Sequence, residues 1–349
     1  MILVLMQCVN LSKAKFRGFM KNVYEDFTSC YLDLAAQVYN DPDYESSPRG
    51  LAVKEKLACK FTITNPLDRL PYVPHRKFSV TYVVAELLWY LSGNNETEWI
   101  ANYSSFWRNI SDDGKTANSA YGARIFKPHP RIAGGSFSQW DYIKNELKND
   151  PDSRRAVVHI RSPWDSVEAK LDVPCTLSLQ FFIRDEKLHL VAHMRSSDLI
   201  LGIAYDVPAF TMLQEVMAYE LGIDVGTYTH VSNSLHIYER HYEMVEKMLE
   251  KDSIREALSI HRDIGPMPSI STTPPVMLMF SLEEEIRNAK SYEALTDIVE
   301  SAPALLCTQD QYWIDWVKVL AAHRCGKLKL KNEKSNLLKS TNFVGYHRF

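Results

Sequence analysis

An α+β fold, with a mixed β-sheet, helices packed on it and a helical C-terminal extension, follows from three features of the 349-residue sequence. Segments with apolar residues at helical spacing and segments of alternating polar and apolar residues occur in separate runs, without the regular strand–helix–strand alternation of a doubly wound sheet. The stretch TLSLQFFI, then RDE, then KLHLVAHM reads as two strands joined by a tight turn at Asp185-Glu186. Beyond about residue 250 the texture changes to charged helical segments, SLEEEIRNAK, YEALTDIVESA and DQYWIDWVKVLAAHR. The expected organisation is a main domain over residues 1–250 and a mainly helical extension over 251–349, with no internal repeat.

In chain order, residues 18–40 carry apolar positions at helical spacing up to the breaker Asp41-Pro42-Asp43, which predicts a first helix. LAVKEKLACKFTIT predicts a strand, followed by a loop that contains Pro66, Pro71 and Pro74. SVTYVVAELLWYLSG is apolar on most faces and predicts a buried helix stopped by Gly93, and TEWIANYSSFW predicts a short one. A turn at Asp150-Pro151-Asp152 leads into a strand in RRAVVHIRS. After the hairpin, VPAFTMLQEVMAYELG predicts a helix from Val207 to a stop at Gly222, and TYTHVSNSLHIY a further strand.

Composition narrows the class. With 46% hydrophobic residues and no excess of Gly or Pro the chain is globular. The net charge of -3 comes from 40 basic and 43 acidic residues that are interspersed, so no stripe for a nucleic-acid backbone exists and any bound phosphate is small. The opening MILVLM is too short for a signal-peptide core or a membrane span, which predicts a cytoplasmic protein with no membrane partner. Cys8, Cys30, Cys59, Cys175, Cys307 and Cys325 show no CxxC or Cys/His spacing, so the expectation is reduced, mostly buried thiols and no metal.

One cysteine stands out. Pro174-Cys175-Thr176 opens the first strand of the hairpin, and Arg195, Ser196, Ser197 and Asp198 follow its second strand. Four strings, NDPDSRR, VPCTLSLQF, MRSSDLILGIAYD and HIYERH, in this order and at these intervals, resemble the thymidylate synthase superfamily over residues 45–245. One such string is weak, whereas four in register are specific. The resemblance implies a thymidylate synthase-like catalytic domain, transfer of a one-carbon unit to C5 of a pyrimidine nucleoside monophosphate, and 5,10-methylenetetrahydrofolate as its donor.

It also implies roles residue by residue. Cys175 matches the nucleophile that adds to C6, a conjugate addition suited to a soft thiolate, and Arg195 is expected to favour that thiolate. Arg49, Arg154, Arg155 and Arg195 match the family's phosphate clamp, with Ser196 as an accompanying hydroxyl donor. The pair matching Arg154 and Arg155 comes from the partner subunit, so the resemblance implies a homodimer. Glu86, alone among apolar neighbours, matches the glutamate that organises water and protons around the base, and Tyr121 a tyrosine that helps remove the C5 proton. His236 and Tyr238 alternate on a strand and so share a face; they match residues that hold the 3′-hydroxyl. Trp107 matches an aromatic near the folate, and Asp198 the carboxylate that binds its pterin. Each residue has a plainer reading taken singly: the cysteine as a small buried hydrophobe, the arginines and Glu86 as solvated charges, Tyr121 and Trp107 as core.

Three departures from the pattern set the expected substrate and product. Asp206 stands where thymidylate synthases have an asparagine that reads the base. A carboxyl carrying a proton donates to cytosine N3 and accepts from its 4-amino group, although Asp206 also sits where a helix N-cap is expected. Thr176 replaces the histidine that usually follows the nucleophile, and STNFVGYHRF lacks the family's short apolar closing segment. Without that closure, water rather than hydride is expected to trap the exocyclic methylene, giving 5-hydroxymethyl rather than 5-methyl. The expectation is thus a folate-dependent dCMP 5-hydroxymethyltransferase. Its rivals are a dCMP 5-methyltransferase, a CMP 5-hydroxymethylase and a uracil-directed (dUMP) methylase or hydroxymethylase. A non-catalytic regulator that binds a nucleotide or an RNA has no use for Cys175.

Overall fold

The computed structural model describes residues 22–130, 135–167, 170–259, 276–307 and 310–342. Val23–Tyr24 is a short strand (β1), and helix α1 (Phe27–Asn40) starts only after Asp26, whose carboxylate accepts from the Ser29 amide at 2.8 Å. The helix expected from residue 18 therefore begins later; residues 18–21 lie outside the described residues. Tyr44–Ser46 (β2) and Val53–Ile63 (β3) follow.

Helix α2 (Val80–Leu91) is capped by the Ser79 hydroxyl, which accepts from Tyr82 N at 3.2 Å. The single helix expected in TEWIANYSSFW is two, α3 (Thr97–Ile100) and α4 (Phe106–Ile110). The side-chain amide of Asn102 donates to the carbonyls of Glu98 and Trp99, displacing the bonds a continuing helix needs. Helix α5 (Tyr121–Phe126), the small β4 (His129–Pro130) and β5 (Ser136–Phe137) pair, α6 (Gln139–Asn149) and β6 (Val157–His159) lead to the hairpin of β7 (Thr176–Arg184) and β8 (Lys187–Met194). Both turn residues, Asp185 (φ 50°) and Glu186 (φ 57°), are left-handed, as a two-residue hairpin turn matched to strand twist requires.

After β9 (Ser197–Asp198) a π-helical turn, Leu199–Ile203, runs without a break into α7 (Ala204–Leu221). The helix thus starts before Val207, and Pro208 lies inside it, where the missing N–H removes the bond that position would make to the Ala204 carbonyl. Strand β10 (Asp224–Tyr238), α8 (Tyr242–Met248), α9 (Lys251–Ser259), α10 (Val276–Asn288), α11 (Tyr292–Leu305), α12 (Gln311–Lys327) and α13 (Lys331–Lys339) complete the described elements.

The main sheet has the order β1-β3-β10-β8-β7-β6, with β2 on β3 and β9 on β10. It is mixed: β10 runs antiparallel to β3 and parallel to β8. Helix α7 packs on β8 and β10, α1 on β3 and β10, and α2 lies against α5, α7, α10 and α12. The stretch Leu199–Leu221 is long and apolar enough to cross a membrane, yet 72% of its apolar window is buried within the protein, so it is the core helix of this fold. Helices α2 and α5 touch backbone to backbone at Gly122, where an added Cβ would sit 2.3 Å from Tyr90 Cα.

Candidate active site

The hairpin delivers the cysteine and the arginine together. Arg195 N donates to Cys175 O at 2.9 Å, while its guanidinium donates to Pro174 O (2.9 Å) and Val173 O (2.8 Å). Arg195 therefore clasps the loop that ends in the cysteine. Burial pushes the Cys175 thiol above its ordinary value; Arg195 and a hydrogen bond from Ser196 pull it down, and Asp206 and Asp172 push it further up. Arg195 thus acts on the thiol with the sign expected from the sequence, and desolvation acts against it.

Glu86 comes from the buried helix α2. It is 5% exposed, and its Oε1 accepts from Tyr82 Oη at 2.7 Å, one helical turn away. Tyr82 Oη accepts in turn from Trp107 Nε1 at 2.9 Å. Burial raises Glu86 to about 8, with Asp206 adding to the rise and Tyr82 and Tyr90 opposing it. Tyr121, at the start of α5, accepts from Thr176 N at 3.3 Å, next to the cysteine, and lies within electrostatic reach of both Asp206 and Cys175.

The π-helical turn separates two carboxylates, Asp198 and Asp206. The cap of the helix is Asp198, whose Oδ1 accepts from Ile200 N (2.8 Å) and Leu201 N (3.3 Å). Asp206 lies inside the helix and is not its cap. Its Oδ2 sits against Gly202, 3.4 Å from where a Cβ would be, and among the described residues its carboxyl has no hydrogen-bond partner. Burial, with Asp198 adding, raises Asp206 to about 7.

His236 and Tyr238 share a face of β10, with ring centroids 5.0 Å apart, and His236 stands opposite Asp198 in the β9 ladder. Thr176 is fully buried and turns its hydroxyl to Met194 Sδ at 3.2 Å. Arg49, at a left-handed φ of 54°, and Arg154 and Arg155 are exposed. Arg155 borders an open cavity of about 540 Å³, lined also by His129, Tyr142 and His159 and by none of the site residues above. One chain thus gathers Cys175, Arg195, Ser196, Asp198, Asp206, Tyr121 and Glu86, and leaves these three arginines at its surface. Of the cysteines, Cys30, Cys59 and Cys325 are buried, Cys175 is half-buried and Cys307 is exposed; Cys8 and the MILVLM opening lie outside the described residues, as does most of the closing STNFVGYHRF.

Four site-building residues escaped the sequence reading. Tyr82 is one, although its four-residue spacing from Glu86 was a readable signal. Arg76 is buried; it donates to Tyr31 Oη and to Ile200 O in the π-helical turn, and its guanidinium lies 5.2 Å from the ring of Tyr205. His230 and Tyr228 lie beneath β9: the His230 ring is held by Tyr228 Oη at 2.8 Å and Ser197 Oγ at 3.2 Å, and burial keeps it neutral, pushed down to about 3. No local pattern announces these long-range partners.

A cysteine beside a clasped arginine, two raised carboxyls and a paired His and Tyr on β10 thus lie together in one chain. The thymidylate synthase family model matches residues 29–272, and the chain belongs to that family, whose members are one-carbon transferases acting on pyrimidine nucleoside monophosphates. A curated relative, the deoxyuridylate hydroxymethyltransferase of Bacillus phage SP01, is 30% identical over 262 residues, spanning 70% of this chain and 68% of that protein. Among solved structures, the thermostable thymidylate synthase A from Bacillus subtilis superposes with a TM-score of 0.55 at 24% identity, over 65% of this chain and 84% of that one, a likeness of fold. The α+β class and the mixed sheet with packed helices are those expected from the sequence.

Enzymes of this family use methylenetetrahydrofolate, and the residues here fit such a ligand. Oδ2 of Asp198 has no hydrogen-bond partner among the described residues, because the cap bonds both use Oδ1, so it is available to a ring N–H donor. Beside it Leu201 is 50% exposed, an apolar surface without cover in this chain.

Proposed function

We propose that this enzyme is a dCMP 5-hydroxymethyltransferase, taking its one-carbon unit from 5,10-methylenetetrahydrofolate. The observation that carries the base preference is the half-buried carboxyl of Asp206, without a hydrogen-bond partner among the described residues and raised to about 7 by desolvation with Asp198 adding. A neutral carboxyl donates through one oxygen and accepts through the other, and so satisfies N3 and the 4-amino group of cytosine together. Cys175 Sγ bonds to C6 and releases its proton, and the ring's electron pair moves towards C5. Arg195 and the Ser196 hydroxyl stabilise the charge on sulfur, which offsets the desolvation that opposes a free thiolate. Bound methylenetetrahydrofolate would supply the methylene carbon to C5 and leave as tetrahydrofolate; water then adds to the exocyclic methylene as the bond between Cys175 Sγ and C6 breaks. Tyr121, close to both Cys175 and Asp206, assists departure of the C5 proton, and Glu86 holds or delivers a proton at the base and orients water.

His236 and Tyr238 take the 3′-hydroxyl in this reading, and Trp107 and Asp198 line the folate side. Arg49 and Arg195 bind the phosphate, joined by Arg154 and Arg155 from the partner subunit of a homodimer; the exposure of that pair in one chain supports such a reach. Residues 251–349 form an extension to the catalytic domain, and the protein is cytoplasmic with no nucleic-acid or membrane partner.

The second reading is a dUMP hydroxymethyltransferase, favoured by the activity named for the phage relative. Measuring kcat/KM for dCMP, dUMP and CMP, on this protein and on Asp206→Asn, with mass spectrometry of the product, separates the two. The first reading expects dCMP to be the best substrate, 5-hydroxymethyl-dCMP to form without dihydrofolate, and the dCMP:dUMP ratio to fall at least about tenfold in Asp206→Asn. An unchanged ratio removes Asp206 as the base reader; stoichiometric dihydrofolate moves the product to 5-methyl-dCMP.

A further inference from the structure

We propose that Tyr82 is a positioning residue that ties the carboxyl of Glu86 to the indole of Trp107, so that the site's acid/base group and its aromatic wall are set as one unit. The inference rests on the acid/base reading of Glu86 given above. Tyr82 Oη stands between the two, donating to Glu86 Oε1 at 2.7 Å and accepting from Trp107 Nε1 at 2.9 Å. Its ring meets Tyr205, the neighbour of Asp206, edge to face at 5.0 Å. The indole of Trp107 is further fixed against Trp89, with ring centroids 4.8 Å apart.

The chain of donors has a direction. An indole N–H only donates, so the phenol oxygen must accept from Trp107 and its single O–H is free for the carboxylate. A donor aimed at a carboxylate stabilises the ionised form, and the N–H delivered to the phenol oxygen strengthens that donation. Tyr82 is therefore the main counterweight to the burial that keeps Glu86 protonated, and among the described residues no cation contributes at Glu86. The groups that face this carboxyl are Tyr82 and Tyr90 of its own helix and Asp206 of α7. Tyr205 acts on Tyr82, and Tyr121 of α5 faces Tyr90 at 5.8 Å. No charged group of α10 or α12, which also pack on α2, acts on it among the described residues. Asp206 works in the opposite sense to Tyr82, so the two sides of the pocket set the protonation of Glu86 between them.

The test is the pH dependence of kcat/KM, followed as tritium release from C5 of labelled dCMP and dUMP, in wild type, Tyr82→Phe, Trp107→Phe and Glu86→Gln. Phenylalanine keeps the ring against Tyr205 and removes only the hydroxyl. Tyr82→Phe is expected to lower kcat about tenfold, leave KM for the nucleotide little changed, and move the limb that Glu86→Gln abolishes upward by roughly half a pH unit or more. Trp107→Phe, which weakens the donation without removing it, moves the same limb upward by less. A Tyr82→Phe enzyme that loses activity with the limb in place shows a packing role only and overturns the proposal, as does Trp107→Phe moving the limb while Tyr82→Phe does not. A Glu86→Gln enzyme that keeps wild-type turnover overturns the acid/base reading itself, a separate failure.

Discussion

Two glutamates, one in the catalytic half and one in the helical extension, are buried to nearly the same degree and handled in opposite ways. Glu283 of α10 is fully buried and accepts from Trp99 Nε1 at 2.8 Å, Tyr103 Oη at 2.6 Å and Arg287 Nε at 3.1 Å. Glu86 has a tryptophan and a tyrosine nearby as well, but in series: Trp107 donates to Tyr82, and Tyr82 alone of the two donates to the carboxyl. Among the described residues no cation joins them. The first arrangement gives the carboxyl three donors and fastens α10 to α3 and the loop after it. The second leaves the carboxyl short of donors, so that burial lifts it to about 8, where it exchanges a proton near neutrality. Donor count and the presence of one arginine separate the two carboxyls.

The comparison breaks most visibly at Glu86→Gln. An amide of the same shape cannot take up or release the proton, so kcat should fall by about 10²–10⁴ while the melting temperature holds or rises. Turnover near wild type would show that Glu86, like Glu283, is structural. Glu283→Ala should do the reverse: it strands the donors of Trp99, Tyr103 and Arg287, and chemical denaturation should show a loss of roughly 2–4 kcal/mol with kcat little altered. The estimate sits below the full figure for a broken buried pair because Arg287 is 29% exposed. A variant that unfolds normally but loses activity would show that the extension serves the chemistry directly.

The smallest effect is the pH dependence of stability. Glu86 and Asp206 hold protons in the folded state, to about 8 and about 7, that the unfolded chain releases in the ordinary carboxylate range. The stability they contribute is fully present below that range and is lost as pH rises through 7 and 8. Unfolding free energies measured between pH 5 and 9 should therefore decline with pH. The slope should be shallower in Glu86→Gln and in Asp206→Asn and unchanged in Arg255→Gln, whose partner Asp252 is an exposed surface carboxylate. A flat profile in wild type would show that neither carboxyl holds its proton.

How much of this was readable in the sequence depends on the range of the interactions. The β7–β8 hairpin, its turn at Asp185-Glu186 and the grouping of Cys175 with Arg195 are short-range, and alternation and spacing reported them. The buried helix with Glu86 was equally clear, because a lone carboxylate in an apolar run is a local contradiction. The donors that resolve it were not. Trp107 reaches Tyr82 across 25 positions and Arg76 reaches Ile200 across 124, and neither pairing leaves a periodic trace. The early start of α7 was missed because Pro208 and the preceding glycine imitate a helix boundary, whereas a π-helical turn carries the backbone through them. For the thiol of Cys175 the arginine was visible in the sequence and the desolvation that opposes it was not.

Gly122 has one more implication. Because an atom added there would fall 2.3 Å from the backbone of Tyr90, the separation between α2 and α5 is set by a missing side chain and not by any bond. The helix that carries Glu86 and the one that opens on Tyr121 are spaced by contact, like two rulers laid edge to edge. Even a single methyl group at position 122 would act as a shim, moving Glu86 and Tyr121 apart without touching either of them.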